Sequence, residues 1–239
     1  IWGIMAIGVY ITYRILDVAD LTVDGSLATG GAVCVMLMRS GCDPWLALMC
    51  AFLVGLLAGM ATGLLHTRCG IPAILSGILT QLALYSVNLR IMGKANQPIN
   101  ANNYKLLVSS RNVKVLSVEN PILVVGIVCL VVIALLYWFF GTELGCSLRA
   151  TGSNQNMARA QGINTNFCKV LGLMISNGLV ALSGALLAQY NSASEINMGR
   201  GAIVIGLAAV IIGEVAFSKL FTNFGLKLLS VSIGAIIYY

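Results

Sequence analysis

Four carboxylates lie inside or at the edge of long apolar runs: Asp20, Asp24, Glu195 and Glu214. A charged side chain at bilayer depth costs about 2.5–3.5 kcal/mol on insertion scales, so such a group is a functional candidate by default. Asp20 and Asp24 are four residues apart and would share one face of a helix. They belong to the stretch Asp20-Leu-Thr-Val-Asp-Gly25, which opens an apolar run. Glu195-Ile-Asn-Met-Gly-Arg-Gly201 opens a later one in the same manner, an acidic residue followed by glycine before a short, Gly-interrupted run. The pair forms a faint internal repeat of the kind that brings broken helices to a transport path. Asp20, Thr22, Asp24, Ser26, Glu195 and Asn197 are therefore the candidate path residues. The competing role for the acids is helix capping, in which a carboxylate accepts backbone N–H groups at a helix start. Both roles stay open for Asp20 and Glu195. Asp24 favours the path, because a cap needs only one acid and this stretch has two. Glu214, near the end of a run, is expected to reach the membrane interface. Asn88, Asn177 and Gln189 read as interhelical hydrogen-bonding groups, with path lining as the alternative.

No catalytic set can be assembled from the remaining residues. His66 is the single histidine and stands with Arg68 at the end of an apolar run, where both read as interface anchors. The seven cysteines (34, 42, 50, 69, 129, 146 and 168) contain no C-x-x-C pair and no ligand spacing with His66, so neither a metal site nor a disulfide framework is expected. A glycine-rich phosphate loop with its lysine is absent from the sequence. The chain is expected to be no enzyme and to carry no cofactor, any ATP and Mg²⁺ residing on a partner.

The elements that hold these residues are membrane spans. Apolar residues make up 59% of the 239 and charged residues 9%, against about 45–50% and about 25% in soluble domains. The net charge of +6 is dispersed among the segments joining the apolar runs. It matches the positive-inside bias of membrane proteins and argues against nucleic-acid binding. Eight apolar segments approach the roughly 17–25 residues of a spanning helix: Ile1–Leu16, Leu21–Met38, Trp45–Leu65, Ile71–Met92, Pro121–Phe140, Cys168–Gln189, Ala202–Phe217 and Gly225–Tyr239. The first and last are short, and the chain is expected to be cut at both ends. The expected fold is a single all-α polytopic transmembrane domain over residues 1–239, with about eight or more spans and interrupted helices. Small residues at Gly55, Gly59 and Gly63 allow another helix to approach closely.

Two polar stretches break the pattern. Residues 94–120 read as an external loop. Residues 141–166, GTELGCSLRATGSNQNMARAQGINTN, read as two short helices, Glu143–Ala150 and Asn154–Gln161, joined at Gly152, with Ser153 as N-cap and Gly162 as the stop.

At these residues the chain resembles a known family, the permease subunits of bacterial ATP-binding-cassette importers of the branched-chain amino acid and monosaccharide superfamily. Asp20-Leu-Thr-Val-Asp-Gly-Ser26 resembles that family's entry to its second helix, with Asp24 standing where glycine is usual. Gly70-Ile-Pro-Ala-Ile-Leu75 resembles the start of a following helix. Leu148-Arg-Ala-Thr-Gly-Ser-Asn154, with Ala158 and Gly162-Ile163, resembles the cytoplasmic coupling loop. The likeness is nearest to the tryptophan- or tyrosine-type branch. It implies that Arg149, Ala150, Thr151, Gly152, Asn154, Ala158, Gly162 and Ile163 couple to an ATPase. It further implies an extracytoplasmic substrate-binding protein, a second permease copy, residence in the bacterial cytoplasmic (inner) membrane, and passage of a small solute such as an aromatic amino acid. The rival reading is an ion-coupled secondary transporter with Asp20, Asp24 and Glu195 as its coupling carboxylates.

Overall fold

A computed structural model describes residues 1–99, 106–108, 120–217 and 223–239. All eight apolar segments are helical. Helix α1 (Trp2–Tyr10) runs on into a π-helical turn, Ile11–Ile15. It is followed by α2 (Thr22–Arg39), α3 (Pro44–Thr67) and α4 (Ala73–Met92). Then come α5 (Pro121–Phe140), the short α6 (Glu143–Ser153) and α7 (Gln155–Ala160), and α8 (Thr165–Asn191). Helices α9 (Ala202–Phe217) and α10 (Phe224–Tyr238) complete the described chain.

Length and apolar composition together separate these helices into two groups. Among the described residues, α3, α4, α5 and α8 are long and apolar enough to cross a membrane. Helices α9 and α10 are apolar but have only 16 and 15 residues. The expectation of eight or more spans is thus met by length and apolar composition together in four helices. Helix α2 has 18 residues but is interrupted by Asp24 and by Gly25, Gly30 and Gly31. Loops precede α2 and α9, and the two helix starts abut there: a Cβ on Gly199 would sit 1.9 Å from the Asp24 carbonyl oxygen.

Helix α8 is the central post, and two thirds of its apolar window is buried. The small-residue stripe on α3 faces it: a Cβ on Gly55 or Gly59 would lie 2.5 Å or less from α8 atoms. Gly30 of α2 and Gly184 of α8 make equally close backbone approaches between those two helices. Close approach of this kind maximises van der Waals contact, which holds helices together where lipid supplies no hydrophobic drive between them.

The bundle has two distinct ends. At one end, residues Asn96–Pro98 (β1) pair antiparallel with Ala193–Glu195 (β2), in the register Asn96 with Glu195 and Pro98 with Ala193. Arg39, at the end of α2, donates to the Gln97 amide oxygen, and Gln97 Nε2 donates to the Met92 carbonyl at 2.6 Å. This ribbon ties the ends of α2, α4 and α8 together. It occupies the start of the expected loop over 94–120, most of which lies outside the described residues.

The other end carries α6 and α7. The joint expected at Gly152 falls instead at Asn154, and the physical reason is the better cap. Asn154 Oδ1 accepts from the N–H groups of Asn156 and Met157, both at 3.1 Å, whereas the Ser153 hydroxyl donates back to the Ala150 carbonyl. Gly162 closes α7 with φ +83, a left-handed geometry that glycine adopts without steric penalty. Gly152 is a packing residue within α6, where a Cβ would stand 1.7 Å from the Ile15 carbonyl oxygen.

Candidate functional site

Five of the six candidate path residues fall into two neighbouring groups. The first is a buried polar cluster between α2, α3 and α8. Asp20 Oδ1 accepts from the Thr22 N–H at 2.9 Å and so stabilises the start of α2. Asp20 Oδ2 accepts from Asn177 Nδ2 at 2.6 Å, and the Ser26 hydroxyl donates to Asn177 Oδ1 at 2.5 Å. The Thr22 and Thr62 hydroxyls meet at 2.8 Å. Asp20, Thr22, Ser26 and Asn177 are all buried. This arrangement satisfies a carboxylate in a low-dielectric interior and locks three helices in register. Replacing Asn177 with leucine would remove the donor to Asp20 and the acceptor for Ser26. A hydrogen bond to a charged group contributes about 1.5–3 kcal/mol. The melting midpoint of the detergent-solubilised protein is expected to fall by about 5 °C or more in Asn177→Leu. An unchanged midpoint would show that the cluster contributes nothing to stability.

The second group surrounds a cavity of about 340 Å³ between α2, α4 and the segment joining β2 to α9. Asp24, Gln81, Tyr85, Asn88, Asn197 and Arg200 line it. Asp24 is half-buried, and its two carboxylate oxygens accept from the N–H groups of Gly201 at 3.1 Å and Ile203 at 3.0 Å. It therefore caps α9, a helix 177 residues further along the chain. The N-terminal dipole of α9 and its orphan donors hold that charge in place. Asn88 is 1% exposed, yet its Oδ1 has no hydrogen-bond partner among the described residues, and Asn197 Oδ1 shares that condition. An unsatisfied buried acceptor costs about 1–3 kcal/mol. Glu195 stands apart from the cavity, exposed on β2 opposite Asn96.

Gln81, Tyr85 and Arg200 are cavity residues absent from the candidates drawn from sequence. Gln81, Tyr85 and Asn88 are spaced by four and three residues, one face of a helix, and form a polar stripe along α4. That spacing is the signal that could have found them. Arg200 lies within the repeat, where its charge is masked by the glycine-rich turn around it.

Two further cavities have different settings. One, of about 610 Å³, lies at the α6 end and is lined by Tyr10, Arg14, Arg149, Gly152 and Lys227 among others. Glu214 accepts from Arg14 Nε at 2.9 Å beside that cavity. The other, of about 700 Å³, is an apolar recess between α1, α5 and α10. No group of three or more metal-ligating side chains occurs among the described residues.

The residues expected to couple to an ATPase are shared between the two faces of α6–α7. Thr151 and Ala158 are buried, Ala150, Gly152 and Ile163 half-buried, and Arg149, Asn154 and Gly162 exposed. The Arg149 guanidinium lies over the rings of Phe140 (5.3 Å) and Phe224 (4.1 Å), which ties α6 to α5 and α10. Cation–π contacts at such exposed sites contribute about 0.5–1 kcal/mol.

Comparison with known proteins places this architecture. The profile of the branched-chain amino acid transport system permease component matches residues 1–239. A tyrosine transport system permease protein of Clostridioides difficile is 42% identical over 238 residues, covering all of this chain and 77% of the relative. A ribose import permease of Escherichia coli is 27% identical over 214 residues, covering 88% of this chain and 65% of the relative. A D-allose transport permease of the same species is 30% identical over 221 residues, covering 91% and 64%. No solved structure matches the chain. The apolar helices, the polar clusters inside the bundle and these matches agree: the chain is a membrane protein of the branched-chain amino acid transport system permease family, a permease of the ATP-binding-cassette type.

Proposed function

We propose that this chain is the permease subunit of a bacterial importer that carries an amino acid, of aromatic type, through the cytoplasmic membrane. The observation that carries the reading is the polar cavity at the junction of the two broken-helix entries, Asp20–Ser26 and Glu195–Gly201, inside an otherwise apolar bundle. The name of the 42%-identical relative supports tyrosine or a related solute. In this reading all eight apolar segments belong to the membrane region, the short ones completing their passage with the loops packed beside them. Two permease copies form the conduit. ATPase subunits, carrying ATP and Mg²⁺, dock on residues 141–166 from the cytoplasm, and an extracytoplasmic binding protein delivers the solute to the β1–β2 end. ATP-driven closure of the ATPases moves α6 and α7, and the bundle alternates its access.

The test is reconstitution of the permease with its ATPase and binding protein in proteoliposomes, followed by uptake of radiolabelled L-tyrosine. Uptake is expected to require ATP, to persist when Na⁺ and proton gradients are collapsed, and to require the binding protein. Gradient-driven uptake without ATP would replace this reading with that of an ion-coupled carrier.

A further inference from the structure

We propose that the cavity between α2 and α4 is a solute subsite for the head group of an α-amino acid, with Asn88, Asn197 and Asp24 facing the ammonium and Arg200 the carboxylate. The inference rests on the transport reading above and assigns specificity to the permease itself. Three independent features point to a zwitterion. The first is the unsatisfied acceptors: Asn88 is almost wholly buried, and neither its Oδ1 nor that of Asn197 has a partner among the described residues. Buried amide oxygens are normally bonded, so two left unsatisfied within the wall of one cavity are matched by a ligand that brings donors as these side chains turn toward it. An ammonium brings three.

The second feature is charge of both signs on the same wall. The Asp24 oxygens each accept one backbone N–H, and a carboxylate has capacity for further donors. Arg200 is exposed to the cavity and makes no ion pair among the described residues; it is not bonded to Asp24. Its planar guanidinium fits a carboxylate through two parallel N–H donors. A simple anion would meet Asp24 unfavourably, a simple cation would meet Arg200, and a neutral sugar would gain from neither charge. A zwitterion complements both.

The third feature is size and lining. About 340 Å³ is within the range of small-molecule sites, and the phenol ring of Tyr85 on the same stripe offers an aromatic surface to the side chain of the solute.

The experiment measures binding of [³H]L-tyrosine to the permease–ATPase complex in nanodiscs, without the binding protein. L-Leucine, tyramine, 3-(4-hydroxyphenyl)propionate and D-ribose are the competitors. L-Leucine is expected to compete. Tyramine lacks the carboxylate, the phenylpropionate lacks the ammonium, and both are expected to compete at least about tenfold less well than L-tyrosine. Asn88→Leu, which breaks no hydrogen bond made within the protein by Oδ1, is expected to weaken L-tyrosine binding about tenfold. Arg200→Gln is expected to let tyramine compete as well as L-tyrosine. The proposal is overturned if L-tyrosine shows no displaceable binding, if D-ribose displaces it as well as L-leucine does, or if both variants bind as wild type. ATP-driven uptake in proteoliposomes from the same preparations separates the two readings. Uptake that persists without this binding removes the subsite and leaves the importer intact. Uptake that does not depend on ATP removes the importer reading itself.

Discussion

Gly152→Ala should uncouple ATP hydrolysis from uptake, and Gly152→Val should do so more completely. Glycine is required because α6 lies on the π-helical turn that ends α1. An added Cβ would stand 1.7 Å from the Ile15 carbonyl oxygen and 3.1 Å from the Leu16 Cα. The obstructing atoms are backbone, so no rotamer change relieves the clash, and α6 must lift away from the turn. Inserting atoms into a well-packed contact typically costs about 1–3 kcal/mol. The contact lies at one end of the bundle, beside Gly172 of α8, whereas the α3–α8–α2 packing continues through Gly59, Gly55, Gly30 and Gly184 away from it, so insertion and assembly should survive. What fails is transmission. If α6 and α7 receive the ATPase stroke, their contact with the α1 turn is one place where the stroke enters the spans. Uptake is expected to fall more than about tenfold while ATPase activity stays within about twofold of wild type. Gly152→Ala with normal ATP-driven uptake would show that this contact does not carry the stroke.

The local grammar of the chain is legible in its sequence. Each of the eight apolar runs is a helix, and two of them, Pro121–Phe140 and Ala202–Phe217, have the expected bounds. The Gly55–Gly59–Gly63 spacing announces a close helix neighbour, and α8 is that neighbour. Gly162 stops α7 through a positive φ, as its position after a polar helix suggests. The joint between α6 and α7 lies two residues beyond its expected place because two candidate caps stand side by side. Asn154 satisfies two N–H groups where Ser153 turns back on its own helix.

Partners in space are far less legible. Asp24 and Ser26 fall into one candidate group because both are polar and belong to one stretch. Residues two apart on a helix diverge by about 200°, so one reaches the cavity side while the other meets Asn177. That Asp24 caps α9 depends on a contact 177 residues away, and no local spacing encodes it. Asn177 as the hub of the buried cluster is equally non-local, since its three helices meet only in the assembled bundle. The stripe Gln81–Tyr85–Asn88 is the exception: its spacing along one face of α4 is visible in the residue order alone, and it marks one wall of the cavity.

The second large effect is expected at Asp24, and it separates capping from path lining at that residue. Both roles converge in the structure, because the carboxylate caps α9 from the wall of the cavity. Asp24→Ala leaves the N–H groups of Gly201 and Ile203 without their acceptor at a half-buried helix start. At about 1–3 kcal/mol for each unsatisfied donor, the loss is about 2–6 kcal/mol, less whatever water restores. Asp24→Asn keeps one amide oxygen for one of the two N–H groups, sets an amide NH₂ against the other, and removes the charge opposite the α9 dipole. It is expected to cost about half as much. A cap alone would make uptake follow stability: Asp24→Asn would have a slightly lower melting midpoint and near-normal uptake. A cap that also presents charge to the cavity makes uptake fall further than stability, so Asp24→Asn should lose at least about tenfold in uptake with a midpoint shift of only a few degrees. Asp24→Glu retains the charge but shifts it by one methylene, and should recover more uptake than Asp24→Asn whatever its own melting midpoint. Melting of the solubilised complex and initial uptake rates, measured on the same preparations, decide the matter. If uptake tracks melting across Ala, Asn and Glu, then Asp24 is a structural cap and the cavity does not use its charge.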